Sequence, residues 1–256
     1  MAKVGLFGGS GRVGQRLVAL LGTHKNLELS AVFVQNLSDF PKTENVVVTK
    51  DIEIFLNKVD LVIDFSLPDA TEILLEGVLK FGAKSLVIGT TGLTPHQQNL
   101  MLKASETSNI LYATNMSLGV ALLNQLVSLA SRSLRDFDIE IVEMHHRYKK
   151  DSPSGTALTL AESAAKARNL TLDDVRISGR DGNIGERTKN EISVMALRGG
   201  DIVGRHTVGF YNEGEFIELN HTATSRDTFA KGAIHAGEWL LNQNSGLYDI
   251  KDCLDI

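Results

Sequence analysis

Apolar and polar positions follow two different regimes along this chain. Short, nearly uninterrupted apolar runs, of the kind a strand buried on both faces requires, occur at Lys3–Phe7, Leu27–Val34, Leu61–Phe65, Ser85–Gly89 and Ile110–Ala113. Asn45–Val48 is a shorter candidate. Segments with helical spacing lie between them, at Gln15–Leu21 and Asp69–Phe81. Strands alternating with helices predict a parallel, doubly wound sheet through about residue 115.

The pattern then changes. Leu118–Leu134 predicts one long helix, Asp138–Met144 a strand and Ser154–Arg168 a second helix. The strands expected at Glu191–Leu197, Gly204–Tyr211 and Glu215–Ala223 have no helices between them, so antiparallel or mixed pairing is expected. Thr228–Leu241 returns to helical spacing, with Trp239 among its apolar positions. The fold class that follows is α/β: a Rossmann-like parallel-sheet domain joined to a second, smaller α+β domain. No internal repeat and no low-complexity tract is present.

Composition narrows the function classes. The chain has 256 residues, 43% of them hydrophobic and 22% charged, an ordinary soluble-globular balance. A net charge of −5 and a pI near 5.8 argue against nucleic acid as the main partner. Met1 leads straight into an apolar strand pattern with no basic leader, so no signal peptide is expected. No stretch is long and apolar enough to span a bilayer. Cys253 is the single cysteine, which excludes an intrachain disulfide and any cysteine-rich metal site. These readings together predict a cytoplasmic protein, open to oligomer formation.

Gly8-Gly-Ser-Gly-Arg-Val-Gly14 follows the first predicted strand and opens a helix. That setting suits a dinucleotide: glycines allow a tight turn and close backbone approach, and the pyrophosphate rests on the helix N-terminus. Two registers fit, one through Gly9, Gly11 and Gly14 and one through Gly8, Gly11 and Gly14. A ribose-binding acid is expected at the end of the second strand. Val34 and Gln35 stand there instead, and Asp39 comes several residues late. No arginine is present to receive a 2′-phosphate, so the choice between NADH and NADPH stays open.

The densest chemistry lies in Glu143-Met-His-His-Arg-Tyr-Lys-Lys-Asp-Ser-Pro-Ser-Gly-Thr-Ala157. A histidine titrates close to neutrality and suits general acid work. Strict strand alternation would point His145 and His146 to opposite faces unless the chain bends there. Lys149 can anchor a carboxylate or act as an acid. Ser154, Gly155 and Thr156 open a predicted helix, where unpaired N–H groups and the positive dipole end favour an anion. A metal site at His145, His146 and Asp151 is disfavoured, because adjacent histidines seldom ligate one ion and no third strong ligand is apparent.

This segment resembles the dihydrodipicolinate reductase family, whose E-x-H-H-x-x-K-x-D-x-P-S-G-T-A signature stands whole at residues 143–157. The resemblance extends over essentially the full length, through Val4–Gly14, Ile63–Ser66, Val87–Gly92, Ala113–Gly119, Arg198–Gly204 and Thr224–Phe229. It implies that His145 is the proton donor and Lys149 the second one. It implies that His146 binds substrate and that Gly155 and Thr156 hold a carboxylate, with Ser154 at the same helix start. For the cofactor it implies Gly8, Gly9, Ser10, Gly11, Arg12 and Val13 around the pyrophosphate, with Gln35 at the position of the family's arginine. Gly89, Thr90 and Thr91, with Ala113, Thr114, Asn115 and Met116, would lie along the ribose and nicotinamide.

The resemblance further implies a dinucleotide-binding domain of residues 1–116 completed by 227–256, and a substrate-binding and tetramerisation domain of residues 117–226. The expected activity is reduction of a cyclic imine dicarboxylate by hydride from NADH or NADPH, in lysine and diaminopimelate biosynthesis. No metal, nucleic acid or membrane is implied. A dehydrogenase for another small substrate and a redox-sensing binding protein are the competing readings. Proton donors beside a helix-start anion site disfavour the sensor.

Overall fold

The structure, a computed structural model, describes residues 1–41 and 43–254. It divides into two compact units, Met1–Leu118 with Asp227–Ile256, and Gly119–Arg226. The chain enters the first unit as β1 (Ala2–Phe7), α1 (Arg12–Leu21), β2 (Leu27–Phe33), β3 (Val47–Thr49) and α2 (Ile52–Leu56). It continues through β4 (Leu61–Asp64), α3 (Pro68–Phe81), β5 (Ser85–Ile88), α4 (Pro95–Ser105) and β6 (Asn109–Tyr112). Helix α5 (Leu118–Ser133) leads into the second unit, with β7 (Asp138–His145), α6 (Gly155–Ala167), α7 (Leu172–Val175) and β8 (Arg176–Ile177). Strands β9 (Ile192–Arg198), β10 (Gly204–Asn212) and β11 (Glu215–Ala223) complete it, and the chain returns to the first unit as α8 (Asp227–Leu240) and β12 (Gly246–Tyr248).

The first unit is a seven-stranded sheet in the order β12-β6-β5-β4-β1-β2-β3. Every pairing is parallel, so the strands' carboxyl ends lie along one edge. The central strands are buried from end to end, which is why β4 and β5 read as continuous apolar runs. Phe7 and Phe33 stack with ring centroids 4.4 Å apart and Phe55 meets Phe7 edge-on, forming an aromatic core directly beneath the first turn. In that turn Gly8 has φ +76, and a Cβ there would lie 2.5 Å from the Phe65 carbonyl oxygen. A Cβ on Gly14 would overlap the Gly8 oxygen, so the helix starts hard against the turn.

In the second unit five strands run β11-β10-β7-β9-β8. β10 pairs antiparallel with both β7 and β11, while β9 runs parallel to β7. Leu123 and Val127 of α5 and Leu160, Ala161 and Ala164 of α6 pack over Ile139, Ile141, Val194 and Phe210. On β7 the buried face runs Ile139, Ile141, Glu143, His145. The period-two pattern that makes this a strand therefore carries two ionisable side chains into the core side.

Four features differ from the pattern in the sequence. Asn45 sits at φ +70 in a turn, a conformation asparagine tolerates, so the third strand begins later, at Val47. Helix α4 was not expected because Leu100-Met101-Leu102 are consecutive rather than spaced at helical intervals. Its start signal was nonetheless present: Thr94 and Gln97 form a capping box around Pro95. The five-residue α2 is too short to show a period; it is set by Asp51, which accepts the Ile54 N–H at 3.0 Å. β12 is a three-residue edge strand whose pairing with β6 only tertiary context supplies.

Helix α8 closes the first unit with two glycines. A Cβ at Gly237 would meet Leu61 at 2.5 Å, and one at Gly232 would overlap the carbonyl oxygen of Met116. The helix thus presses its backbone onto the loop that follows β6. Gly232→Ala is expected to push α8 off that loop and destabilise the protein by about 2 kcal/mol, read as a lower Tm in a circular-dichroism melt. An unchanged Tm would show that the loop gives way freely.

Candidate active site

The site in the second unit is built around one carboxylate. Glu143 is fully buried on β7. Its oxygens accept hydrogen bonds from His145 Nδ1 at 2.5 Å, the Ser154 N–H at 2.9 Å, and Arg198 Nη1 and Nη2 at 2.8 and 2.7 Å. Strand pairing explains the convergence: Arg198 lies opposite His145 on β9, and His206 lies opposite Glu143 on β10. Burial pushes the Glu143 pKa up, but the Arg198 bonds, His145 and the Ser154 N–H outweigh it and hold the pKa below its ordinary value. The carboxylate is therefore ionised, and His145 Nδ1 carries the proton it donates.

This fixes the tautomer of His145 and leaves Nε2 as its working nitrogen. Burial lowers the His145 pKa; Glu143 opposes that shift, and the charges of Lys149 and Arg198 add to it. The ring is 9% exposed. Gly204 lies beside it, where a Cβ would stand 3.0 Å from Nε2, so only glycine keeps that nitrogen accessible. The backbone is pinned as well, since His145 O accepts the Gly199 N–H at 3.0 Å and the His146 N–H reaches Ile202 O at 2.8 Å. The Arg198–Gly204 segment thus holds the end of β7, and the strand stops at His145.

His206 completes the cluster. Its ring meets His145 edge-on at 5.2 Å between centroids, and its Nε2 lies 3.2 Å from Ser154 Oγ. Its pKa falls to about 4, first through burial and then through the charge of His145, so it is neutral near pH 7. Nδ1 is buried with no partner among the described residues. A buried N–H without an acceptor costs more than a bare acceptor nitrogen, which places the proton on Nε2, donated to Ser154 Oγ. Ser154 also caps α6, accepting the Ala157 N–H at 3.3 Å.

The candidates of the signature segment are distributed as follows. His145 and Ser154 meet through Glu143. The Ser154 N–H, expected among a row of unpaired donors, is instead donated to Glu143, because a buried carboxylate requires it. Gly155 is exposed and Thr156 half-buried in the first turn of α6, which carries no acidic side chain to compete with an anion. Lys149 Nζ rests 3.0 Å from Asp151, whose side chain is 59% exposed. Such a pair contributes about 1 kcal/mol or less and exchanges readily for a substrate carboxylate. His146 is half-buried, with Nδ1 unpartnered among the described residues. Among those residues no cluster of His, Cys, Asp and Glu could hold a metal ion, and no helix is long and apolar enough to cross a membrane.

The first unit carries a cleft of about 310 Å³ at the carboxyl edge of its sheet. Gly8, Ser10, Gly11 and Gln35 line it, while Gly9, Arg12 and Val13 do not. Gly9 is buried against Val32, and Arg12 opens α1 in solvent. Gly89, Thr90 and Thr91 follow β5, and Ala113–Met116 follow β6, on the same edge but outside the cleft. The turn fits a dinucleotide: side chains are absent where a pyrophosphate must approach, and the first turn of α1 has no acid.

Comparison with known proteins agrees with both halves. Residues 2–116 match the family described as "Dihydrodipicolinate reductase, N-terminus", and residues 119–254 match "Dihydrodipicolinate reductase, C-terminus". The chain is 65% identical to the 4-hydroxy-tetrahydrodipicolinate reductase of Sulfurimonas denitrificans and 62% identical to that of Wolinella succinogenes, each covered fully in both directions. The dipicolinate-bound dihydrodipicolinate reductase of Paenisporosarcina sp. TG-14 superposes with a TM-score of 0.82 at 26% identity, covering 99% of this chain and 100% of that one.

Sequence inspection placed Glu143 in the signature without a role and did not single out Arg198 or His206. Glu143 was findable, standing two residues from His145 on one strand face; the other two become visible only through strand pairing. Arg198→Ala strips a buried carboxylate of two charge-assisted bonds and is expected to destabilise the protein by about 3 kcal/mol in urea unfolding at pH 7. Glu143 has a lowered folded pKa, so its contribution is present above its ordinary value of 4.5 and is lost as the pH falls through the folded one. The gap between wild type and variant should therefore close on acidification. A loss below about 0.5 kcal/mol at pH 7 would show that Arg198 does not hold the carboxylate.

Proposed function

The chain belongs to the dihydrodipicolinate reductase family, and we propose that it acts as a 4-hydroxy-tetrahydrodipicolinate reductase in which His145 and Lys149 deliver the proton. The reaction reduces (4-hydroxy-)dihydrodipicolinate to tetrahydrodipicolinate in lysine and diaminopimelate biosynthesis. A nicotinamide cofactor, NADH or NADPH, supplies the hydride when bound, held by the glycine turn, by Gly89–Thr91 and by Ala113–Met116. The observation that carries the assignment is the buried Glu143–His145 pair, with Nε2 kept accessible beside Gly204.

Reduction leaves negative charge conjugated with the imine, remote from the attacked carbon, and an acid within reach must quench it. His145 holds that proton at Nε2. Glu143 orients the ring and stabilises the imidazolium as it forms, in the manner of the carboxylate of a hydrolase triad. Lys149, released from Asp151, grips one substrate carboxylate with His146. Gly155 and Thr156 at the start of α6 hold the other, while Ser154, tied to Glu143 and His206, keeps that start in place. His145 is neutral in the free protein, and a dianion bound beside it raises its pKa. Substrate thereby loads the acid it needs.

We read the second unit as the tetramerisation domain as well. β11 is the edge of its sheet, and Phe216 and Ile217 on it are 64% and 48% exposed, a surface that a partner strand would cover. The free, buried Cys253 is consistent with action in the reducing cytoplasm.

Substrate made in situ from pyruvate and aspartate semialdehyde by the preceding synthase should cause prompt loss of nicotinamide absorbance. Cofactor binding without turnover would instead favour a sensor. His145→Gln is expected to lower kcat by about 100-fold or more with cofactor affinity unchanged; turnover near wild type would remove His145 from the acid role. Lys149→Ala should raise KM and lower kcat together, and an unchanged KM would show that Lys149 does not grip the ground state. Light scattering should give four times the mass of the 27.9 kDa chain, and a monomer would exclude assembly through β11.

A further inference from the structure

The cofactor cleft has a polar corner that the end of β2 does not explain. Val34, where a ribose-binding acid is expected, is 6% exposed, and Gln35 beside it is uncharged. The chain then runs through a 3₁₀ turn, Leu37–Asp39, and this turn returns a carboxylate to the cleft: Asp39 lines it together with Gln35. Asp39 Oδ2 accepts the Asn36 N–H at 3.2 Å, which anchors the side chain and leaves Oδ1 without a partner among the described residues.

The rest of the lining divides into the glycine turn, with Gly8, Ser10 and Gly11, and an apolar wall that includes Phe65, Leu67 and Ile73. A pyrophosphate on the turn and an adenine against the wall put the intervening ribose near Gln35 and Asp39. Asp39 is the single ionisable residue of the lining. Arg12 and Lys50, the cations next to the turn and to β3 in the sequence, are exposed and do not line the cleft.

We propose that Asp39 receives the 2′- and 3′-hydroxyls of the adenosine ribose and makes this chain select NADH over NADPH. The proposal rests on reading the first unit as the cofactor domain. A ribose diol can donate two hydrogen bonds to one carboxylate. A 2′-phosphate instead brings about two negative charges against that carboxylate, with no lysine or arginine among the described lining residues to offset them. Gln35 can donate to either group and so does not discriminate.

Calorimetric titration of the full-length protein with NADH and with NADPH, without substrate, tests this apart from turnover. NADH is expected to bind at least about tenfold tighter in wild type. Asp39→Asn keeps the size of the side chain and the acceptor for the Asn36 N–H while removing the charge, and should bring the two affinities to within about threefold. Gln35→Arg supplies the missing cation and should tighten NADPH alone. Equal or tighter binding of NADPH by wild type, or an unchanged ratio in Asp39→Asn, overturns the assignment of Asp39. Binding of neither nucleotide would overturn the cofactor reading itself, and the inference with it. The wild-type ratio and the Gln35→Arg ratio decide the matter should Asp39→Asn fail to fold.

Discussion

A fully buried carboxylate is unfavourable unless every oxygen is served by donors, and Glu143 meets that condition with four hydrogen bonds drawn from three elements. Its demand for donors fixes Arg198 on β9, orients His145 on its own strand and holds the residue before α6. Each of those has a second task, as counter-charge, as acid and as cap of the substrate-binding helix. The geometry of the second unit's site is therefore the geometry of one satisfied anion. Glycine completes the arrangement: with no Cβ at position 204, the imidazole that Glu143 orients remains accessible at its other nitrogen.

The first unit solves a related problem with backbone alone. Parallel strands align their carboxyl ends, and a turn without side chains there leads into a helix start that lacks acid. Both units thus offer an anion the start of a helix, but they prepare it differently. At α1 the N-cap is Gly11 and no side chain caps the helix. At α6 the cap is Ser154, itself fixed by Glu143 and His206. A pyrophosphate spans several N–H groups and tolerates a supple turn. A carboxylate on a ring that must be held against a proton donor requires a rigid one.

Much of this was legible in the chain. The apolar runs located the parallel strands, and the change near Leu118 located the second sheet, because burial on both faces and burial on one face leave different periods. The signature at Glu143–Ala157 located the chemistry. What escaped has physical causes. α4 begins with an evident cap but has no apolar period, and β12 is too short to carry any signal. Arg198 and His206 are distant in sequence and ordinary in type; only the registers β7–β9 and β7–β10 set them beside Glu143 and His145. The cofactor corner illustrates the limit of spacing rules. A search at the end of β2 finds Val34, whereas the carboxylate arrives by way of the next turn.

The charges of the substrate site explain why its acid is kept neutral at rest. Glu143 is balanced by Arg198, and Lys149 by Asp151, so the free site holds two closed ion pairs and an uncharged His145. His206, with its pKa pushed down to about 4, adds none. A dicarboxylate entering this arrangement takes Lys149 from Asp151, which is exposed enough to be resolvated by water, and brings excess negative charge beside the buried ring. The nearest group able to respond is His145, because Glu143 already accepts its Nδ1 proton and Nε2 is bare. An uptake of a proton there offsets part of the dianion and places the acid next to the charge that reduction creates. A His145 charged in the free protein would bind substrate more tightly but begin from a better-stabilised ground state. One that gains its proton only with substrate directs more of the electrostatic stabilisation to the transition state.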